Sequence, residues 1–161
     1  IVNRVAQSGL VTFNLEGLRP EPPLPLDIKD QLYMGLMLRE KDFRDWVKSH
    51  DWAQYAGRQV AIFCSADAIV PTWAYMLVAS ALQPHAAGFA FATPAELNAA
   101  LWRQALAAHS WAQYAGGKVV VKGCGGDVPV AAYVEAMRQL QAVASKLMYG
   151  EPCSTVPLWR R

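Results

Sequence analysis

Two cysteine–aspartate pairs are the residues in this sequence whose types and spacing could do chemistry. Cys64 is followed three residues later by Asp67, and Cys124 is followed at the same distance by Asp127. Thiolates and carboxylates are ligands of zinc and iron, so the two pairs together could complete a metal site. A thiolate beside a helix N-terminus would also suit redox or nucleophilic chemistry.

A third chemistry is open at the second pair, because glycines surround Cys124. Backbone N–H groups of Gly123, Gly125 and Gly126 could wrap a phosphate or carboxylate. The remaining thiol, Cys153, would join a metal site only if the C-terminal tail or a second subunit brought it close. Against all three stands a structural interpretation, in which the cysteines pack as small apolar residues and the aspartates cap helices.

The two cysteines belong to a repeated pattern. The string Trp-Ala-Gln-Tyr-Ala-Gly occurs at 52–57 and again at 111–116, and each copy precedes an apolar run that ends at a cysteine. We therefore predict an internally duplicated unit of helix, strand, cysteine loop and helix. The predicted pseudo-repeats cover about 40–84 and 99–142. His50 and His109, which precede the two strings, fit helix C-termini better than a metal site.

Strands and helices are predicted to alternate along the chain. The predicted strands are 10–15, 59–64, 88–92 and 118–123. The predicted helices are 40–50, one from Pro71, one opened by the capping-box sequence 93–96, and a long one over 129–149. Alternation of this kind indicates right-handed crossovers. The expected fold class is α/β, a mainly parallel sheet with flanking helices and N-terminal strand(s) added at the edge.

We expect one domain over 1–161, with a Pro-rich linker at 19–26 and a C-terminal tail at 150–161. The two repeats would form pseudo-symmetric halves of one sheet. Ligands of open parallel sheets bind beyond the carboxyl ends of the strands. Because Cys64 and Cys124 both follow strands, we expect the two thiols to face a common crevice.

Composition limits the classes of function. The chain has 161 residues, 53% of them apolar and 17% charged, with a net charge of +2. The small, scattered positive charge argues against nucleic acid, and no stretch approaches the roughly 20 apolar residues of a membrane span. So little polar surface favours a homo-oligomer, most simply a dimer. Three unclustered cysteines predict a reducing cytoplasm.

Three segments carry a resemblance to a known family. They are 64–76 (CSADAIVPTWAYM), 148–158 (MYGEPCSTVPL) and 27–30 (DIKD). Through them the whole chain resembles an uncharacterised bacterial family of unknown function, which implies a small cytoplasmic bacterial protein and brings no known activity. The three separate cysteines are superficially similar to those of iron–sulfur scaffold proteins, but their spacings depart from that family.

Two hypotheses follow. The leading one is a binding protein or enzyme with a zinc or iron site between the loops 64–67 and 124–127. The competing one is a non-catalytic homodimeric interaction protein, in which the apolar helix 73–82 and the aromatic turns form the interface and the cysteines are structural. Neither hypothesis names a reaction.

Overall fold

The fold was analysed in a computed structural model, which describes residues 9–123 and 126–161. The chain divides into two compact units. Unit 1 combines the chain up to Pro20 with Ala99–Arg161, and unit 2 is Glu21–Asn98. The boundary falls inside a helix, so each unit is described separately below.

The described residues contain seven strands and four α-helices. The strands are β1 (Leu10–Phe13), β2 (Leu24–Asp27), β3 (Gln59–Phe63), β4 (Gly88–Phe91), β5 (Lys118–Val121), β6 (Lys146–Glu151) and β7 (Ser154–Arg160). The helices are α1 (Glu40–Ser49), α2 (Thr72–Leu82), α3 (Pro94–Ala108) and α4 (Val130–Gln141). None of these helices combines the length and the apolar character that crossing a membrane requires.

Each unit has its own sheet. In unit 2 the order is β2-β3-β4, all parallel, and in unit 1 it is β1-β5-β6-β7, parallel except that β7 is antiparallel to β6. The α/β class, the mainly parallel pairing and the N-terminal strands at sheet edges are confirmed. The prediction of a single sheet is wrong, because the described strands form two separate sheets, with β3 central in one and β5 central in the other.

Two further predictions fail at the C-terminus. The helix predicted over 129–149 ends at Gln141, and the remaining residues enter β6, where Leu147 and Met148 are buried. A short apolar run fits both the helical and the strand period, which explains the error. The predicted tail 150–161 contributes to β6 and forms β7.

The Pro-rich segment at 19–26 was predicted as a linker, but its last residues begin β2. Pro25 lies within that strand. Proline cannot donate to a strand ladder, and β2 accommodates it because the strand lies at the edge of its sheet. The capping-box prediction is confirmed: the Thr93 N–H donates to Glu96 Oε2 at 3.1 Å, and the Glu96 N–H donates to Thr93 Oγ1 at 3.2 Å.

The repeated string makes the same contacts in both units. The Trp52 indole N–H donates to the Val47 carbonyl at 2.7 Å, and the Trp111 indole donates to the Leu106 carbonyl at 2.8 Å. Each string forms a short 3-10 turn whose tyrosine is buried. The carbonyls belong to the last turn of the preceding helix, so each tryptophan links a helix end to the turn that leads into the following strand. An origin by duplication stays a prediction.

The glycine that ends each string adopts a backbone conformation that other residues avoid. Gly57 has φ of 69° and Gly116 has φ of 68°, in the left-handed region that side chains avoid. The Gly57 N–H donates to the His85 carbonyl, and the Gly116 N–H donates to the Val143 carbonyl. Both accepting residues precede the next strand of the sheet, so the string also positions that strand.

Separate hydrophobic cores lie under the two sheets. In unit 2 the core is Leu26, Ile28, Phe43, Trp52, Tyr55, Val60, Ile62, Ala74, Val78 and Leu82. In unit 1 it is Phe13, Leu15, Trp102, Leu106, Trp111, Tyr114, Val119, Val121, Ala132, Ala136, Leu140, Ala144 and Leu147. The largest fully buried side chains, Phe43 and Trp102, both come from the helix that precedes a repeated string.

We expect Trp52→Phe and Trp111→Phe each to lower the free energy of unfolding by about 2 kcal/mol. Each loses an indole bond to a helix-end carbonyl and leaves space in a core. Urea denaturation measures the change. Trp46→Phe is the control, because Trp46 is only half-buried. Losses no larger than that of the control would show that the two indole bonds do not hold the helix ends.

Candidate functional site

The candidate site lies at the carboxyl edge of the sheet in unit 2. There β2 ends at Asp27, β3 ends immediately before Cys64, and β4 ends immediately before Ala92. A cavity of about 350 Å³ opens at this edge. Its lining includes Phe63, Cys64, Ser65, Tyr75, Phe91 and Glu96. In unit 2 a cavity therefore lies where parallel sheets usually bind their ligands.

Hydrogen bonds between Asp27 and Ser65 link the end of β2 to the loop that follows β3. The Ser65 hydroxyl donates to Asp27 Oδ2 at 2.5 Å, and the Ser65 N–H donates to Asp27 Oδ1 at 3.1 Å. The Lys29 N–H adds a third bond to Asp27 Oδ1 at 3.0 Å. Burial raises the pKa of Asp27, but these bonds and the Lys29 charge outweigh it, and the net pKa is lowered. Asp27 is consequently a carboxylate at neutral pH.

Cys64 is half-buried and packs against the core of unit 2 while lining the cavity. Its sulfur lies 3.8 Å from the Ala66 carbonyl oxygen, a contact in which the thiol is a weak donor. The structure therefore places this thiol at the strand end, as predicted. The packing interpretation and the functional one both fit it, because the side chain touches core and cavity at once.

Tyr75 comes from α2 and closes one side of the cavity. Its ring meets Phe91 edge-on, with ring centroids 4.8 Å apart. Burial raises the pKa of Tyr75, and the neighbouring Cys64 and Asp27 raise it further. The phenol is therefore protonated at neutral pH, as a tyrosine of ordinary pKa already would be. It can donate a hydrogen bond to a molecule in the cavity.

The charged side chain in the cavity lining is acidic. This residue is Glu96, whereas Asp27, which has the Lys29 charge nearby, lies behind Ser65 and outside the lining. The start of α3 offers little to an anion, because the Thr93 hydroxyl and the Glu96 carboxylate already take part in the capping box. Neutral or cationic molecules fit this environment better than anions do.

The other predicted metal ligands have different surroundings. Asp67 is exposed in the loop after Cys64, and Asp127 is exposed and paired with Arg19 at 3.0 Å. Neither aspartate caps the helix that follows, since the N-caps of α2 and α4 are prolines. Cys124 lies outside the described residues. Within 9–123 and 126–161, no three His, Cys, Asp or Glu side chains are grouped to hold a metal ion.

The two predicted cysteine loops are also offset in sequence. Counted from the last glycine of each repeated string, Cys64 is matched by Gly123, and Cys124 lies one residue further along. A side chain at Gly123 would clash with the Tyr149 ring, because its Cβ would lie 2.6 Å from Tyr149 Cζ. The Tyr149 hydroxyl donates to the Gly123 carbonyl at 3.3 Å. The thiol position of unit 2 thus corresponds to an aromatic contact in unit 1.

Cys153 lies in the exposed turn between β6 and β7. The sequence predicts that Cys153 joins a metal site only if the tail or a second subunit brings it close. Because the tail forms a strand pair with β6, which runs parallel to β5, the turn that carries Cys153 lies at the same edge of the sheet as the end of β5. Of the glycines predicted to bind an anion, Gly126 lies in an exposed turn and Gly125 is outside the described residues. The anion site stays a prediction.

The histidines at the helix ends pack among aromatic rings. His50 is the C-cap of α1 through its backbone N–H, and its ring Nε2 lies 2.8 Å from the Tyr55 hydroxyl. Burial lowers the pKa of His50, opposed in part by Asp51. The His109 ring meets the Trp111 ring edge-on at 4.9 Å between centroids. Both imidazole rings therefore pack against the aromatic side chains of the repeated turns.

The fold and the site define an α/β protein with a polar-rimmed cavity at the carboxyl edge of a parallel sheet. Residues 1–161 match the family model described as "Protein of unknown function (DUF2480)", and the chain belongs to that family. The predicted resemblance to a family of unknown function is thereby confirmed over the whole chain. No curated protein and no solved structure matches the sequence.

We expect Asp27→Asn to lower the free energy of unfolding by about 1 kcal/mol at pH 7, because three hydrogen bonds to a charged acceptor are weakened. The folded-state pKa of Asp27 is lowered. Its stabilisation is therefore complete above the unfolded-state pKa of about 4 and disappears as the pH falls through the folded-state value. Urea denaturation over a pH series measures this.

The control is Asp30→Asn, an exposed carboxyl three residues away. It should change stability little at any pH. If the difference between wild type and Asp27→Asn persisted undiminished below the folded-state pKa, the carboxylate charge would not be its source.

Proposed function

We propose that unit 2 binds a small neutral or cationic organic molecule at the carboxyl edge of its sheet. One observation carries the proposal: Cys64, Tyr75 and Ser65, whose hydroxyl is bound to Asp27, line a single cavity of about 350 Å³. Cavities of this size, with apolar walls and a few convergent polar groups, are where α/β proteins bind small molecules.

The lining suggests how such a molecule would be held. The rings of Phe63 and Phe91 provide apolar walls, and an aromatic face also attracts a cation. The Tyr75 phenol donates one hydrogen bond, and the Glu96 carboxylate at the rim accepts one. Ser65 has its hydroxyl proton committed to Asp27, so its oxygen faces a ligand as an acceptor.

A metal-bound version is the second candidate, and Cys64 favours it. A thiol at a strand end could ligate zinc or iron, and the further ligands that the sequence predicts are Cys124, Asp67, Asp127 and Cys153. This version depends on Cys124, because the described residues do not supply three ligands in one place. It also assumes the reducing cytoplasm of a bacterial cell, where thiols stay free.

A fragment screen by protein-observed NMR tests the first candidate. Cationic and neutral fragments should shift the resonances of residues 63–65 and 91–96, and anionic fragments should not. Tyr75→Phe should weaken the best fragment about fivefold, since it removes one net hydrogen bond worth about 1 kcal/mol. Tyr133→Phe on α4 is the matched control and should bind as wild type. Binding restricted to anions, or unaffected by Tyr75→Phe, would contradict the proposal.

Metal analysis of the purified protein tests the second candidate. Zinc or iron near one equivalent per chain should fall to background in the Cys64→Ser/Cys124→Ser double variant. The Cys153→Ser variant shows whether the third thiol takes part. A protein that stays free of metal after incubation with zinc or iron under reducing conditions would rule this version out.

A further inference from the structure

An apolar groove runs along the free edge of the sheet in unit 2. It lies between α2 and the edge strand β4 and encloses about 570 Å³. Thr72, Tyr75, Met76, Ala79, Phe89 and Phe91 line it. Met76 is 66% exposed and Phe91 is 71% exposed, which is unusual for such large apolar side chains.

Unit 1 shows what occupies the corresponding sheet edge. Its third parallel strand, β6, carries the antiparallel strand β7 on the outer side. Leu158 of β7 reaches the groove beside Tyr133 and Val134 of α4, and the remaining space is about 180 Å³. In unit 2, β4 ends the sheet, and among the described residues no strand takes the place of β7.

The chemistry of the open groove restricts its occupant. Neither α2 nor β4 contains a charged residue, and β4 has no proline. Charges and prolines are the usual protection of an edge strand against pairing with another chain. A charged segment would lose solvation there without finding a partner, whereas an apolar, uncharged strand would bury apolar surface and gain backbone hydrogen bonds.

We propose that the occupant is a second copy of this chain, bound through β4. A two-fold axis perpendicular to the sheet makes the two β4 strands antiparallel, as β7 is to β6, and joins two three-stranded sheets into one of six strands. The same axis sets α2 beside its symmetry mate, so Met76 and Phe91 of both copies are covered together. Because neither surface is charged, the groove is complementary to itself. The groove shares Tyr75 and Phe91 with the ligand cavity, but the dimer does not require a ligand in that cavity.

Analytical ultracentrifugation of the full chain tests the dimer. Wild type should sediment as twice the 17.7 kDa of one copy and dissociate on dilution. Met76→Lys, which lies outside the lining of the ligand cavity, should raise the dissociation constant about tenfold or more, because it places two ammonium groups in an apolar contact. Val134→Lys is the matched control, since Val134 follows Tyr133 on α4 as Met76 follows Tyr75 on α2 and is 64% exposed.

Amide hydrogen exchange of the wild type gives a second measurement that needs no variant. The amides of Gly88–Phe91 should exchange more slowly as protein concentration rises, and those of β7 should not change. A wild type that is monomeric throughout the concentration series would overturn the proposal. So would a dimer that survives Met76→Lys, or one whose β4 amides exchange at the same rate at every concentration.

Discussion

The pairing of β2 with β3 is the constraint on which the candidate site depends. It places Asp27 opposite Phe63, so the carboxylate reaches the Ser65 N–H and hydroxyl just beyond the strand end. The loop that carries Cys64 is thereby fixed to a neighbouring strand. Without β2, β3 would be an edge strand, and the residues after it would have no partner across the sheet to hold them.

Pairing with an N-terminal strand recurs in both sheets of the chain. Each strand that follows a repeated string has an N-terminal strand on one side and a later strand on the other, so it is central in its own sheet. Because central parallel strands are buried on both faces, they read as continuous apolar runs, and β3 and β5 do so. The units differ at the outer edge, where the sheet of unit 1 has the additional strand β7 and the sheet of unit 2 ends at β4.

The parts of the fold that could be predicted are those set by local sequence. The capping box at Thr93 and the apolar runs of β3 and β5 depend on neighbouring residues, and the sequence places them within a residue or two. Strand partners depend on residues far apart in the sequence. Local patterns do not reveal these partners, which is why one sheet was expected where the chain forms two. Cys64 was found because it repeats a pattern, whereas Asp27 was missed because its strand begins among prolines and reads as a linker.

The aromatic contact at Gly123 has a consequence for stoichiometry. In unit 1 the Tyr149 ring lies against the backbone position that corresponds to Cys64 in unit 2, and Gly123 is the residue that admits it. A molecule seated there would have to displace a ring that already packs edge-on with Tyr133. The two units are therefore unequal at this position: in unit 1 the Tyr149 ring lies there, so the proposed ligand would bind once per polypeptide, in unit 2.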